Sequence, residues 1–259
     1  TKYNQINMIK HLKNTTLSIL VLSLLFLFSC SDDDESSSSE LDDVEFAFSP
    51  ENPPIDQSLI TTLSSSGDPN AAQIAANLQS ANAMTAWSSF FQQPAGAVKV
   101  ESLIGSCSGS SVAYTYSEAV QGDTYTLTYE ICETASDYIF QIYISQNGST
   151  PSLFMYSEQA KSGNQGFLEV YLSSLLDITD EEIDLTIRYD WVVNSDGSFQ
   201  FTVADNQSGF IITVNVNADN SGDVEYVIDG DLFYEATWNA DGTSGTYTYY
   251  NTDGAVLDS

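Results

Sequence analysis

Cys107 is the residue whose surroundings most closely imitate a catalytic nucleophile. It sits at the centre of Gly105-Ser106-Cys107-Ser108-Gly109, a glycine-bracketed run of the kind that presents a nucleophile on a tight turn. A thiol there needs a neighbouring base, and imidazole is the usual one. The chain has a single histidine, His11, in its N-terminal stretch. Ser-His-Asp and Cys-His catalysis and most zinc sites therefore lack a required group. Carboxylates are plentiful, and Glu130, Glu158, Glu169 and Glu235 fall in strand-like segments. Two of them could in principle act as acid and base on a glycosidic bond, but nothing in their spacing singles out a pair. The expectation is a protein without catalytic activity, with a two-carboxylate glycoside hydrolase as a distant alternative.

Asp- and Asn-rich turns raise calcium. Asn217-Ala-Asp219-Asn-Ser221-Gly222 matches the first half of an EF-hand loop. The twelfth position is Ile228 where a bidentate Glu is needed, and the flanks alternate like strands. The segment reads as a hairpin turn, with no cofactor expected and only weak calcium binding between adjacent turns left open. Aromatic residues are the remaining candidates. Trp87 lies on an apolar helical stripe, whereas Trp238, Tyr247, Tyr249 and Tyr250 gather near the last hairpin. Tyr247 and Tyr249 have the opposite parity to Tyr250, so rings occupy both faces of that hairpin. Exposed rings stack on sugars or pack in protein interfaces.

The elements that must position these residues are mostly strands. Twelve segments from Val98–Ile104 to Gly245–Tyr250 carry Val, Ile, Thr, Tyr and Phe between polar turns. In 124–133, Tyr125, Leu127, Tyr129 and Ile131 share one face; in 183–193, Ile183, Leu185, Ile187, Tyr189, Trp191 and Val193 do the same. One apolar and one polar face is the pattern of an antiparallel sheet. Asn194-Ser-Asp-Gly197, Asp229-Gly230, Asn239-Ala-Asp-Gly242 and Asn251-Thr-Asp-Gly254 supply the positive φ of tight hairpins. Connections this short preclude parallel crossovers. Ahead of the strands, Asp68-Pro69 is a cap followed by a first-turn proline. Ile74, Leu78, Ala81, Met84 and Trp87 then recur at helical spacing as far as Phe91.

The fold expected is mainly β: an antiparallel up-and-down meander of about twelve strands, curved into a half-barrel or barrel, with one N-terminal helix on its concave side. Cys107 and Cys132 are an even pair near one hairpin, and pairing 111–117 with 124–133 brings them within reach of a disulfide. In layout the domain resembles the lipoprotein-carrier half-barrel and also a wide lipocalin-type barrel, without a motif of either. A cavity beneath the helix, touched by Leu78, Met84 and Trp87, would suit a hydrophobic ligand. A filled core would point to the surface instead, where Trp238, Tyr247 and Tyr249 are the candidate contacts.

The N-terminal stretch carries an address. Lys10, His11 and Lys13 precede an apolar run, Leu17 to Phe28, that is too short to span a bilayer and fits a secretory signal peptide. It ends in Leu27-Phe28-Ser29-Cys30, which resembles the lipobox of bacterial lipoproteins; Phe28 is bulkier than the usual residue there. The resemblance implies that Cys30 is acylated and that the chain is cut before it. Ser31-Asp32-Asp33-Asp34-Glu35 resembles the acidic export tag of Bacteroidota-type surface lipoproteins, which implies display on the outer face of the outer membrane. The division expected is 1–29 signal peptide, 30–66 acylated Cys and flexible tether, and 67–259 one folded domain. Three bases beyond Cys30, Lys99, Lys161 and Arg188, face all 36 acids. Such a surface repels phosphate backbones, so no nucleic-acid partner is expected. Two roles stay open: a non-catalytic binding module for a glycan, lipid or protein, or a structural envelope protein without a small ligand.

Overall fold

A computed structural model describes residues 41–48, 53, 55–91, 96–120, 122–176 and 185–259. The proposed signal peptide, Cys30 and the acidic Ser31–Glu35 lie outside the described residues. Thirteen strands run β1 (Val98–Val100), β2 (Ser111–Val120), β3 (Asp123–Glu133), β4 (Asp137–Gln146), β5 (Ser152–Ala160), β6 (Gln165–Tyr171), β7 (Thr186–Val193), β8 (Phe199–Asp205), β9 (Phe210–Val216), β10 (Gly222–Ile228), β11 (Asp231–Trp238), β12 (Gly245–Tyr250) and β13 (Val256–Asp258). Each pairs antiparallel with its neighbour in sequence, in one sheet that does not close. Twelve of these strands correspond to expected segments; the short β13 is additional.

Alternation holds along β7 and β8 and in the second half of β11, whereas in β3 Thr128, Glu130 and Cys132 on the other face are buried as well. Leu127 and Tyr129 of β3, Tyr189 and Trp191 of β7, Phe201 and Val203 of β8, and Ala236 and Trp238 of β11 all enter one core. Two glycines admit the largest rings. Gly166 pairs with Trp191 across β6–β7, and Gly222 with Trp238 across β10–β11. A Cβ on Gly166 would stand 2.5 Å from the Trp191 ring, and Gly222 is closed to one in the same way by Trp238. Each indole therefore lies across a backbone that only glycine leaves bare.

Two bulges interrupt the alternation. The β4–β5 register shifts after Ile142↔Met155, so Phe154 is an extra residue and both Phe154 and Met155 are fully buried. The β10–β11 register shifts between Tyr226↔Tyr234 and Val227↔Leu232, making Phe233 the extra residue. A bulge re-aims a side chain at the point where it is inserted.

The helical region differs from the single helix expected. It comprises α1 (Gln57–Ser65), α2 (Pro69–Asn82) and α3 (Met84–Ser88), followed by a 3-10 turn, Ser89–Phe91; α4 (Ser173–Leu176) comes later. Asp56 caps α1 by accepting from the Ser58 N–H at 2.8 Å, and Asp68 caps α2 by accepting from the Asn70 N–H at 2.8 Å. The expected helix breaks at Ala83 because side chains take over backbone partners. The Thr85 hydroxyl donates to the Asn82 carbonyl at 2.7 Å. The buried Asn82 amide reaches away to Ile55, accepting from its N–H at 3.0 Å and donating to its carbonyl at 2.9 Å. Among the described residues no helix is long and apolar enough to cross a membrane.

The packed body also takes in residues that the sequence reading assigns to the tether. Leu41, Phe48, Ile55, Leu59, Ile60 and Leu63 are buried. Phe46 stacks on Phe91 at 5.0 Å between ring centres and meets Trp191 edge-on at 5.3 Å. Gln159, itself buried, holds this segment by accepting from the Ala47 N–H at 2.7 Å and donating to the Glu45 carbonyl at 3.1 Å. Side-chain entropy lost in ordering these residues is offset by the apolar area that Phe46 and Phe48 place on Trp191.

Candidate ligand-binding site

The glycine-bracketed Cys107 is a structural strap. Its sulfur is bonded to Cys132, with a Cα–Cα separation of 5.7 Å. The same loop is held a second time by Glu130, a buried carboxylate that accepts from the backbone N–H groups of Ile104 and Gly105, the latter at 2.9 Å. Gly109 lies against the Glu133 carbonyl, whose backbone leaves no room for a Cβ, while Gly105 meets the side-chain ends of Gln141, Tyr143 and Glu130. Gly109 is there for close backbone approach.

The other strand carboxylates are occupied on the sheet face opposite the helices. Glu158 accepts from the Tyr156 hydroxyl and Glu235 from the Tyr250 hydroxyl. Glu169 accepts from Tyr171 Oη at 2.6 Å and pairs with Arg188 Nη1 at 2.7 Å, while Arg188 also pairs with Asp190 at 2.8 Å. The guanidinium lies 3.8 Å from the Phe167 ring centre. The hairpin aspartates serve their own turns. Asp219 Oδ1 accepts from the Ser221 N–H at 3.0 Å and its hydroxyl at 2.6 Å. Asp196 with Ser198, and Asp241 with Thr243, repeat the arrangement. These bonds to the ionised form hold all three carboxyls below the usual aspartate range. Among the described residues no three His, Cys, Asp or Glu side chains converge as a metal site.

Of the residues expected to touch a ligand, Leu78 and Met84 are fully buried between helices and sheet. Trp87 is half-buried; its Nε1 donates to the Tyr189 hydroxyl at 3.1 Å and its ring meets Phe154 edge-on. Burial pushes the Tyr189 hydroxyl up to about 12 against the opposing effect of that bond. Trp238 is buried over Gly222 and donates from Nε1 to the Asn220 carbonyl at 2.9 Å. An open groove of about 790 Å³ lies between the 41–48 segment and the β5–β6 and β7–β8 turns.

Tyr247 and Tyr249 belong to a larger assembly. Phe210 meets Tyr226 at 6.3 Å between ring centres, Tyr226 meets Phe233 at 6.0 Å, and Phe233 meets Tyr249 at 6.5 Å, all edge to face. Tyr249 continues to Tyr234 at 4.8 Å and to Tyr247 at 5.9 Å. This ladder crosses β9, β10, β11 and β12, one or two rings per strand. Its middle rung exists because of the bulge, which places Phe233 beside Tyr234 instead of on the opposite face. Phe233 is 43% exposed, while Phe210, Tyr226, Tyr247 and Tyr249 are half-buried. Burial, then the neighbouring Asp205, raises the Tyr226 hydroxyl pKa; burial, then Tyr247 and Asp258, raises that of Tyr249. Tyr234 is 1% exposed, and its hydroxyl has no hydrogen-bond partner among the described residues. Phe210, Tyr226 and Phe233 were not among the residues expected. Their signal is the consecutive Phe233-Tyr234 pair, where strict alternation would send one ring outward. No protein-family model matches this chain, and no curated protein matches it.

Proposed function

We propose that this chain is a cell-surface lipoprotein, held in the outer membrane by an acylated Cys30 and routed outward by Ser31–Glu35, whose domain is a non-catalytic module that binds a glycan along the β9–β12 aromatic ladder. The observation that carries the ligand class is the partly exposed run Phe210–Tyr226–Phe233–Tyr249, with Phe233 kept in the run by a bulge. Sugar rings present flat C–H faces that stack on such rings, and successive rungs suit a chain of sugars better than a single one. The interior supports a surface ligand over a lipid: Leu78, Ala81, Met84, Phe154, Met155, Leu168 and Val170 have no exposed area, and the pocket between α2 and the β11–β12 hairpin holds only about 100 Å³. The absence of an imidazole beyond His11 and the occupied strand carboxylates support binding without catalysis. Affinity electrophoresis of the domain through gels containing soluble polysaccharides tests the reading. Retardation by at least one polymer is expected, with Phe233→Ala weakening it about fivefold, the equivalent of about 1 kcal/mol of aromatic contact. Wild-type mobility in every gel would leave the structural envelope role in its place.

A further inference from the structure

The ladder is bordered by negative charge. Its rungs sit at the sheet end formed by the β8–β9, β10–β11 and β12–β13 turns. Asp205, Asp229, Asp231 and Asp253 lie in or beside those turns, and Asp258 pairs across from Tyr249. Asp205 acts on the Tyr226 hydroxyl and Asp258 on that of Tyr249. Cations are placed elsewhere. Among the described residues Lys99 pairs with Asp42 at 3.6 Å, Lys161 with Glu133 at 2.6 Å, and Arg188 with Glu169 and Asp190. None of these three belongs to β9–β13.

Resting on the glycan reading above, we infer that the ladder selects glycans bearing protonated amines, such as polymers of glucosamine, over neutral and acidic ones. Aromatic faces attract ammonium groups through the ring quadrupole, and ionised carboxylates at the border add a favourable field. Uronate or sulfate chains meet the same field as repulsion. A neutral sugar keeps the stacking and loses the charge contribution.

Isothermal titration with three β-1,4-linked hexamers separates these contributions: glucosamine, N-acetylglucosamine and glucose. A polygalacturonate oligomer is the acidic control. At a pH where the amine is protonated and at low salt, the glucosamine hexamer should bind about tenfold more tightly than the other two, and the uronate should not bind. Raising ionic strength should narrow that ratio. In the double variant Asp205→Asn and Asp258→Asn the ratio should fall severalfold while the glucose hexamer changes affinity by less than about twofold, because asparagine keeps an acceptor oxygen for the Gln207 and Ser208 N–H groups and removes the charge. Equal affinity for all three hexamers, or binding of the uronate, would overturn the amine selection and leave the glycan reading standing. Binding of none of the four would overturn both.

Discussion

Removing the Cys107–Cys132 bridge should lower stability by an amount that follows from where it closes the chain. The two cysteines are 25 residues apart, and loop-closure entropy assigns a cross-link of that span about 3.5 kcal/mol at room temperature. That contribution acts on the unfolded chain, so it persists even though Glu130 holds the same strap in the folded state. For a domain of this size each kcal/mol moves Tm by about 2–4 °C, so Cys107→Ala with Cys132→Ala should melt about 7–14 °C below the parent. Alanine in place of the buried Cys132 leaves little extra void, which keeps the cavity contribution small. Thermal unfolding followed by circular dichroism, with and without reductant, measures this directly. The reduced parent and the double variant should agree. A shift below about 2 °C in both, with the far-ultraviolet spectrum unchanged, would refute the loop-entropy reasoning for this strap.

Glu130→Ala should cost about 2–4 kcal/mol, because the N–H groups of Ile104 and Gly105 lose their acceptor beneath the strap; chemical denaturation measures it, and Glu130→Gln should recover part. Alkaline pH should unfold the domain through its buried tyrosines. Burial raises the hydroxyl pKa of Tyr129, Tyr189 and Tyr234 above the ordinary 10.0, that of Tyr189 to about 12. The folded state thus keeps protons that the unfolded state releases, so their stabilisation is complete below about pH 10 and disappears as pH rises toward 12. Tm should be level up to about pH 9 and fall steeply above 10; a level profile to pH 12 would contradict the burial of these hydroxyls. For the anchor, Cys30→Ala should block palmitate labelling of the protein expressed in a Bacteroidota host. Replacing Asp32, Asp33 and Asp34 by Ala should keep the label but abolish cleavage by protease added to intact cells, and equal cleavage would remove the export-tag reading.

Local pattern alone determined much of this protein. Strict alternation along β7 assigned the buried face correctly, because a strand's side-chain period is two; in 124–133 it found the apolar face but not that Thr128, Glu130 and Cys132 on the other face are buried too, since the 101–110 strap that covers them lies outside the strand. Asp-Gly and Asn-x-Asp-Gly turns marked the hairpins, since positive φ at Gly197, Gly230, Gly242 and Gly254 is a property of those residues. The meander followed from connections too short for anything else, and the disulfide from the register of one hairpin, where Ser111 faces Cys132. Tertiary structure decided the rest. A bulge is a mismatch between two strands, so neither β5 nor β11 alone reveals that Phe154 or Phe233 is the extra residue. Leu41, Phe46 and Phe48 lie in a polar, proline-bearing stretch and are ordered only because Trp191 and Gln159 offer a surface and hydrogen bonds more than a hundred residues away. The Thr85 hydroxyl occupies the Asn82 carbonyl at the break, and only the fold brings the Asn82 amide to Ile55. The aromatic ladder needs four strands in register and one bulge, a condition no single stretch of sequence contains.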